Sequence, residues 1–273
     1  MTRRLHPLVA AIETALAWVL GLAWLAPLLY AVWTAFHPPA FATRFDLGAP
    51  LTLENFQRAW EAAPFARYFL NTVVIVALIV ASQIVLGTLA AFALARFTFR
   101  GRDLLFAVIL LQLMIAPEIL AVANYRTMKA IGAVDTIWGI VLPYLTSAFG
   151  IFLLRQTFRT VPQDLEDAAR IEGCGTLGVL WRVYVPAARP VYLAYGLVQA
   201  SWHWNNFLWP LIITNSVENR PLTVGLSVFA SVDQGIDWSV ITAATLTTSG
   251  PLLLAFLVFQ RRFVQSFMSA GLR

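Results

Sequence analysis

The chain of 273 residues is 59% hydrophobic and only 12% charged, and its formal net charge is +5. A soluble domain usually carries about a quarter charged residues, so this composition excludes an ordinary soluble domain and indicates a surface that faces lipid. The single cysteine, Cys174, excludes an internal disulfide. The basic residues form no compact patch with interleaved aromatic residues, and we therefore predict no nucleic-acid partner.

Six apolar segments predict six membrane-spanning helices. A span needs roughly 20 apolar residues to cross about 30 Å of hydrocarbon, and 68–95 is apolar on all sides, unlike the striped helices of a soluble bundle. The third segment is interrupted at Pro117 and Glu118 and is predicted as a broken helix. The predicted spans are 12–36, 69–95, 104–125, 136–157, 190–213 and 239–260, within one all-α transmembrane domain that covers 1–273.

The N-terminal apolar stretch is too long for the core of a cleaved secretion signal, so we predict that it is retained as the first span. The loop after it contains LTLENFQRAWEAAPF at 51–65, in which Phe56 and Trp60 follow at helical spacing. This pattern predicts a short interfacial helix. Such a helix serves equally well as a lid on the membrane surface or as a contact for an external partner.

The distribution of basic residues predicts the orientation. With the N-terminus inside, thirteen of the 19 lysine and arginine residues fall on the inner side and six on the outer side, and the opposite topology inverts this ratio. Cytoplasmic segments carry the excess of positive charge. We therefore predict cytoplasmic N- and C-termini and a cytoplasmic loop at 158–189, where Cys174 stays reduced.

Within that loop, the segment 162–186 reads PQDLEDAARIEGCGTLGVLWRVYVP and predicts a short helix. Pro162 suits the first turn, and the carboxylates that follow it are favoured by the helix macrodipole. Glu166 and Arg170 are spaced for an i,i+4 ion pair. Gly173 is placed to end the helix in a left-handed cap, and the returning apolar segment is predicted to end at Pro186.

The alanines of this helix predict how it is used. Ala168 and Ala169 leave a low surface that another protein can approach closely, and the neighbouring carboxylates can pair with arginines of that protein. From the residues alone, an ordinary interfacial helix that joins two spans fits about equally well.

Three elements at fixed spacing carry a family resemblance. They are Asp167-Ala168-Ala169, then Gly173, then Val183-Tyr184-Val185-Pro186. Permease subunits of binding-protein-dependent ABC importers share Glu-Ala-Ala, three residues, Gly, nine residues and Ile-x-Leu-Pro. Asp replaces Glu at 167, where Glu166 is expected to share its role, and valine replaces the two aliphatic residues. The stretches IWGIVLPYL, GIFLLRQTF, WNNFLWPLIIT and RPLTVGL resemble the carbohydrate-type branch, represented by the smaller maltose permease subunit and its glycerol-phosphate relative.

The resemblance implies a type I ABC importer permease fold in a bacterial inner membrane. The implied partners are a second similar permease, two cytoplasmic ATP-binding subunits and an external solute-binding protein. The implied solute is a sugar or related polyol, with glycerol-3-phosphate as the alternative. The residues expected to couple the chain to the ATPase are Glu166, Asp167, Ala168, Ala169, Gly173 and Pro186.

The chain shows no motif of an enzyme. Its only lysine, Lys129, lacks the context of a phosphate-binding loop, so ATP and magnesium are expected on the partner ATPase and no cofactor on this chain. His6, His37 and His203 are far apart and are predicted to be structural, not metal ligands. An ion-coupled secondary transporter would need inverted repeats and several membrane carboxylates, which the sequence does not show. A membrane enzyme is disfavoured for want of a catalytic constellation.

Five residues are candidates for the solute path. Trp202, Asn206 and Trp209 have the spacing of one helical face, and Asn205 adds a second amide. Tryptophan faces can stack on sugar rings, and amides can both donate to and accept from hydroxyl groups. A tryptophan belt with helix-bonding asparagines is the structural alternative. Glu118 is expected to face a cavity or a partner, or else to pair with Arg126 at a helix break.

Overall fold

A computed structural model describes residues 7–42, 44–46, 48–230 and 237–271, and their regular structure is entirely helical. The prediction for His6 and the assignment of Arg3, Arg4 and Arg273 to the inner side concern residues outside these ranges. The α-helices are α1 (Pro7–Ala35), α2 (Glu54–Ala62), α3 (Phe65–Arg96), α4 (Arg102–Leu111), α5 (Ala121–Ala130), α6 (Ile137–Val141), α7 (Ala148–Arg159), α8 (Gln163–Ile171), α9 (Thr176–Val179), α10 (Val185–Ala187), α11 (Arg189–Trp204), α12 (Leu208–Ile213), α13 (Leu222–Gly225) and α14 (Trp238–Gly271).

Three stretches of helix within the described ranges are long and apolar enough to cross a membrane: Ile12–Ala35, Phe65–Arg96 and Trp238–Val258. Two bent pairs raise this number to five if each is one span, namely Arg102–Met114 with Pro117–Ala130, at 94°, and Ile137–Tyr144 with Ala148–Arg159, at 44°. The chain is thus a multi-pass membrane protein. The break predicted at Pro117 is present, and the count of six remains a prediction.

Three predicted spans differ from the structure. The predicted span 136–157 is not one straight helix but is bent by 44° between Tyr144 and Ala148. The predicted span 190–213 is divided into α11 and α12, and α11 has only 16 residues, which corresponds to about 24 Å of helix. The last helix was predicted to end near 260 but runs to Gly271. No proline or glycine interrupts 252–270, and the arginine pair at 261–262 does not break a helix because arginine is a good helix former.

The chain divides into two compact units, and the first holds Met1–Pro64 and Leu226–Pro251. In it, the short helix predicted from 51–65 is observed as α2. The buried amide of Asn55 donates to the carbonyls of Ala35 and His37, at 2.9 and 2.8 Å, and so fastens α2 to the end of α1. Side chains along α1 are widely exposed, with Trp24 at 80%, as suits a helix surrounded by lipid.

The second unit holds Phe65–Gly225 and Leu252–Arg273 and is built around α3, which packs against α7 and α11. Two buried apolar clusters lie in this unit. One joins α3 and α7 to the segment that contains α8, through residues that include Phe92, Leu154, Phe158, Ala169 and Tyr184. The other joins α3 to α5, α6 and α12, through residues that include Ile75, Ile79, Met128, Ile140 and Trp209. The two candidate functional regions belong to this unit.

Candidate functional sites

The first candidate site is α8 with the turn that follows it. Three backbone hydrogen bonds close its C-terminus: Cys174 N–H to Ala169 C=O, Gly173 N–H to Arg170 C=O and Glu172 N–H to Ala168 C=O, each 3.0 Å. The first two form a Schellman motif, which needs a left-handed residue after the helix. Gly173 has φ +84°, as predicted, and a Cβ there would meet no atom within 4 Å. Its backbone conformation, and not lack of space, therefore requires glycine.

The carboxylate of Glu166 ties α8 to two other elements. Arg96, the last residue of α3, donates from Nε to Oε2 at 2.9 Å. The Tyr184 hydroxyl donates to the same oxygen at 2.6 Å. Arg170 donates from Nη2 to Oε1 at 2.9 Å, which is the i,i+4 pair that the sequence predicted. Glu166 is buried, so its charge serves contacts inside this chain.

Electrostatics keep this carboxylate ionised. Burial raises the pKa of Glu166, but the hydrogen bonds from Tyr184, Arg170 and Arg96 lower it by more, and its pKa lies below the usual range. The pKa of Tyr184 moves the other way, because burial and donation to an anion both favour the neutral phenol. The ring of Tyr184 is fully buried, and the guanidinium of Arg96 lies 4.9 Å from its centroid.

The opposite face of α8 is exposed in the part of the chain that the structure describes. Asp164, Asp167, Ala168 and Ile171 are exposed and lie roughly half a turn of the helix away from Glu166. Ile171 is 88% exposed. Of the two alanines predicted to form a low surface, only Ala168 does so, because Ala169 packs into the buried cluster with Phe158 and Tyr184. We call Asp164, Asp167, Ala168 and Ile171 the outer face of α8.

Pro186 does not end the returning segment, contrary to the prediction. The chain passes from α9 through a π-helical stretch, Leu180–Tyr184, into α10 and then α11. Pro186 is tolerated because it stands at the start of α10, where a missing N–H costs no hydrogen bond. π-Helical stretches are rare in proteins, and those that occur often lie at functional sites. Here it contains Tyr184, the partner of Glu166.

The second candidate site is a cavity of about 700 Å³ in the second unit. Four of the five residues predicted for the solute path line it: Glu118, Trp202, Asn205 and Asn206. Phe207 and Phe256 add aromatic surface, and the remaining wall is mainly aliphatic. The sequence alone had placed Glu118 on a different helix from the other three, and the bend after Met114 brings it to the same cavity.

Trp209, the fifth predicted residue, does not line this cavity. The prediction assumed one continuous helix, but α11 ends at Trp204 and three residues separate it from α12. The break changes the direction of the side chains, and Trp209 is buried in the cluster with Met128 and Ile213. The ion pair proposed between Glu118 and Arg126 is also absent, since the ion pairs among the described residues join other side chains.

A buried polar network around Gln83 was not predicted from the sequence. The side chain of Gln83, on α3, donates to the Tyr144 carbonyl at 2.9 Å and lies 3.2 Å from His203 Nε2. The Tyr195 hydroxyl donates to Gln83 Oε1 at 2.9 Å. The available signal was Gln83 itself, one of two amides, with Asn71, in a predominantly apolar span, where an amide must find partners within the protein. His203 lies within this buried network, 5.0 Å from Tyr144 between ring centroids.

A family model described as "Binding-protein-dependent transport system inner membrane component" matches residues 83–269. The chain is 31% identical to the "Arabinooligosaccharides transport system permease protein AraQ" of Halalkalibacterium halodurans, over 94% of this chain and 97% of that protein. It is 32% identical to the "Diacetylchitobiose uptake system permease protein NgcG" of Streptomyces coelicolor, over 94% and 87%. It is 29% identical to the "sn-glycerol-3-phosphate transport system permease protein UgpE" of Shigella flexneri, over 90% and 92%.

The fold is also similar to solved structures. A chain from the crystal structure of a bacterial ABC transporter involved in the import of the acidic polysaccharide alginate matches with a TM-score of 0.86 at 22% identity, over 96% of this chain and 99% of that chain. A chain from the same type of transporter, in complex with an alginate pentasaccharide-bound periplasmic protein, matches with a TM-score of 0.67 at 14% identity, over 93% and 94%.

Proposed function

Because the chain belongs to the family of binding-protein-dependent transport system inner membrane components, we propose that it carries a sugar or related polyol across the bacterial inner membrane while partner subunits hydrolyse ATP. An external binding protein delivers the solute, and a second permease completes the pathway. The chain crosses the membrane six times with both termini in the cytoplasm. ATP and magnesium bind the partner ATPase, and this chain converts the motion of that subunit into alternate opening of the path.

The outer face of α8 is the observation that carries this proposal. Glu166 and Ala169 turn inward and fix α8 to α3, while the outer face presents Ala168 between Asp164 and Asp167. A small residue allows close approach, and the carboxylates can form charge-assisted hydrogen bonds with arginines of a partner. A surface of this kind, attached to a long membrane helix by a buried ion pair, is suited to pass motion from a soluble subunit to the membrane part.

A thiol-directed cross-linking experiment tests this role. Ala168→Cys, in a Cys174→Ser background of the assembled importer, is labelled with a photoactivatable benzophenone maleimide. We expect it to capture a subunit that contains a phosphate-binding nucleotide motif, identified by mass spectrometry. Ala169→Cys is the matched control, because the neighbouring alanine faces the buried cluster. Capture only from the external side of intact cells, or equal capture at both positions, would contradict the proposal.

The solute path runs along the cavity lined by Glu118, Trp202, Asn205 and Asn206. Aromatic faces beside amides suit a polyhydroxylated solute, because the rings cover its C–H surfaces and the amides serve its hydroxyl groups. The relatives include permeases named for oligosaccharides and one named for glycerol-3-phosphate. The charge of the cavity distinguishes between these two classes of solute.

A further inference from the structure

On the basis of the proposed function, we infer that the cavity accepts uncharged saccharides and rejects solutes that carry carboxylate or phosphate groups. Among the side chains that the structure describes, Glu118 is the only charged one at the cavity, and no arginine or lysine lines it. An anionic solute would therefore meet a negative wall with no cation to offset its desolvation.

Among the described residues, no ion pair cancels the charge of Glu118. The side chain is exposed, and the ion pairs in the described ranges join other residues. A cleft with mostly apolar walls and charge of one sign focuses the field into its interior. Glu118 thus lowers the local concentration of anions and leaves that of neutral solutes unchanged.

The hydrogen-bonding groups of the lining suit hydroxyl groups. The Asn205 amide donates one N–H to the Ser201 carbonyl at 2.8 Å, so its second N–H and its Oδ1 remain for a solute. The carboxylate of Glu118 offers only acceptors. Sugar hydroxyl groups can donate to both kinds of oxygen, whereas a carboxylate or phosphate group has no proton to offer the Glu118 carboxylate near neutral pH. Beside these acceptors, Trp202 and Phe207 are 44% and 41% exposed and can cover the C–H surface of a ring.

The preference for uncharged solutes distinguishes this chain from two of the proteins that it resembles. One is named for glycerol-3-phosphate, and another belongs to an importer of an acidic polysaccharide. Solutes of those kinds favour arginine or lysine at their sites because bidentate or point-charge contacts bind such anions best. The lining described above offers neither.

Cysteine labelling with reagents of opposite charge measures this selection without knowledge of the natural solute. Asn205→Cys is introduced with Cys174→Ser in the assembled importer in lipid nanodiscs. The rates of reaction with aminoethyl- and sulfonatoethyl-methanethiosulfonate are read from the mass of this chain alone. Their ratio is divided by the same ratio for free 2-mercaptoethanol, which removes the intrinsic reactivity of the reagents.

We expect a normalised preference of about tenfold for the cationic reagent. Glu118→Gln should reduce this preference severalfold towards one, and high salt should also reduce it. Glu172→Gln neutralises an exposed glutamate on the α8 turn and should leave the preference unchanged. A normalised ratio of one or below, or a ratio that Glu118→Gln leaves unchanged, would overturn the inference. If no reagent reacts, or if labelling leaves uptake intact, the solute does not pass this cavity and the inference fails, whereas the proposed importer role rests on the outer face of α8 and is decided by the cross-linking of Ala168→Cys.

Discussion

The hydroxyl of Tyr184 donates a 2.6 Å hydrogen bond to the carboxylate of Glu166, eighteen residues earlier in the chain. The same carboxylate receives Arg96 from the end of α3. A single buried anion thus fastens α8, the π-helical stretch Leu180–Tyr184 and α3 to each other. A force applied to the outer face of α8 therefore acts on α3 directly, because α8 has little freedom to move alone.

We expect Glu166→Gln to destabilise the protein by about 3 kcal/mol, because removal of one partner leaves the largely buried Arg96 without a counter-charge. The change also weakens the bond from Tyr184. The loss is measured as a lower midpoint of thermal unfolding of the purified importer. Glu172→Gln provides the control, since this glutamate is exposed. Equal midpoints for the two variants would show that the buried ion pair contributes nothing measurable.

The contribution of Glu166 should also depend on pH in a defined direction. The pKa of Glu166 is lowered in the folded protein, so its stabilising effect is fully present above the ordinary glutamate pKa of about 4.3. It disappears as the pH falls through the lowered folded pKa. The difference in unfolding midpoint between the parent and Glu166→Gln should stay constant from about pH 8 to pH 5.5 and shrink only below about pH 4.

A difference that already shrinks between pH 7 and pH 5.5 would mean that the carboxylate is not held in the ionised form by its three partners. Tyr184→Phe offers an internal check on this point. It removes one of the donors but keeps the packing of the ring against Phe92 and Phe158. In the Tyr184→Phe background, the difference in unfolding midpoint caused by Glu166→Gln should begin to shrink at a higher pH, closer to the ordinary glutamate pKa.

Local features of the loop were predictable from the sequence because they follow from neighbours in the chain. The helix at α8, the i,i+4 pair of Glu166 and Arg170 and the left-handed Gly173 all depend on residues within about one helical turn. The partnership of Glu166 with Arg96 was not predictable, since seventy residues separate them. Tyr184 gave no signal either, because it occupies the unspecified position of the family motif.

The cavity also shows that the sequence predicts residue chemistry better than it predicts where a helix breaks. Residue chemistry singled out Glu118, Trp202, Asn205 and Asn206, and all four line one cavity. Periodicity then assigned Trp209 to the same face, and this was wrong because the pattern was extended across a break in the helix. Nothing in the apolar composition of 190–213 marks residues 205–207 as non-helical, apart from the two adjacent asparagines, whose helix propensity is low.

Gly173→Ala should destabilise the turn by about 1 kcal/mol, because an alanine at φ +84° is strained while the space around it is open. Gly175→Ala is the matched control. Gly175 has φ −71° and equally open surroundings, so alanine should be neutral or slightly stabilising there. The check compares the unfolding midpoints of the two variants. A loss of the same size at both positions would refute the assignment of the left-handed cap as the reason for glycine.

The two tryptophans near the helix break should behave differently in transport. Trp202 lines the cavity and is partly exposed, so Trp202→Ala should raise the KM for uptake of an uncharged saccharide about tenfold or more, which corresponds to the loss of one or two kcal/mol of aromatic contact. Trp209 is buried, and among the described residues its indole nitrogen has no hydrogen-bond partner. Trp209→Phe should therefore leave the KM unchanged.

Saturation curves for uptake into proteoliposomes that contain the complete importer and its binding protein provide the measurement. Expression and assembly are compared first, since a buried tryptophan also contributes to stability. If Trp209→Phe raised the KM as much as Trp202→Ala did, the two residues would belong to one continuous face, and the break at 205–207 would have no functional meaning. If Trp202→Ala changed only the maximal rate, the cavity would serve the conformational change and not the contact with the solute.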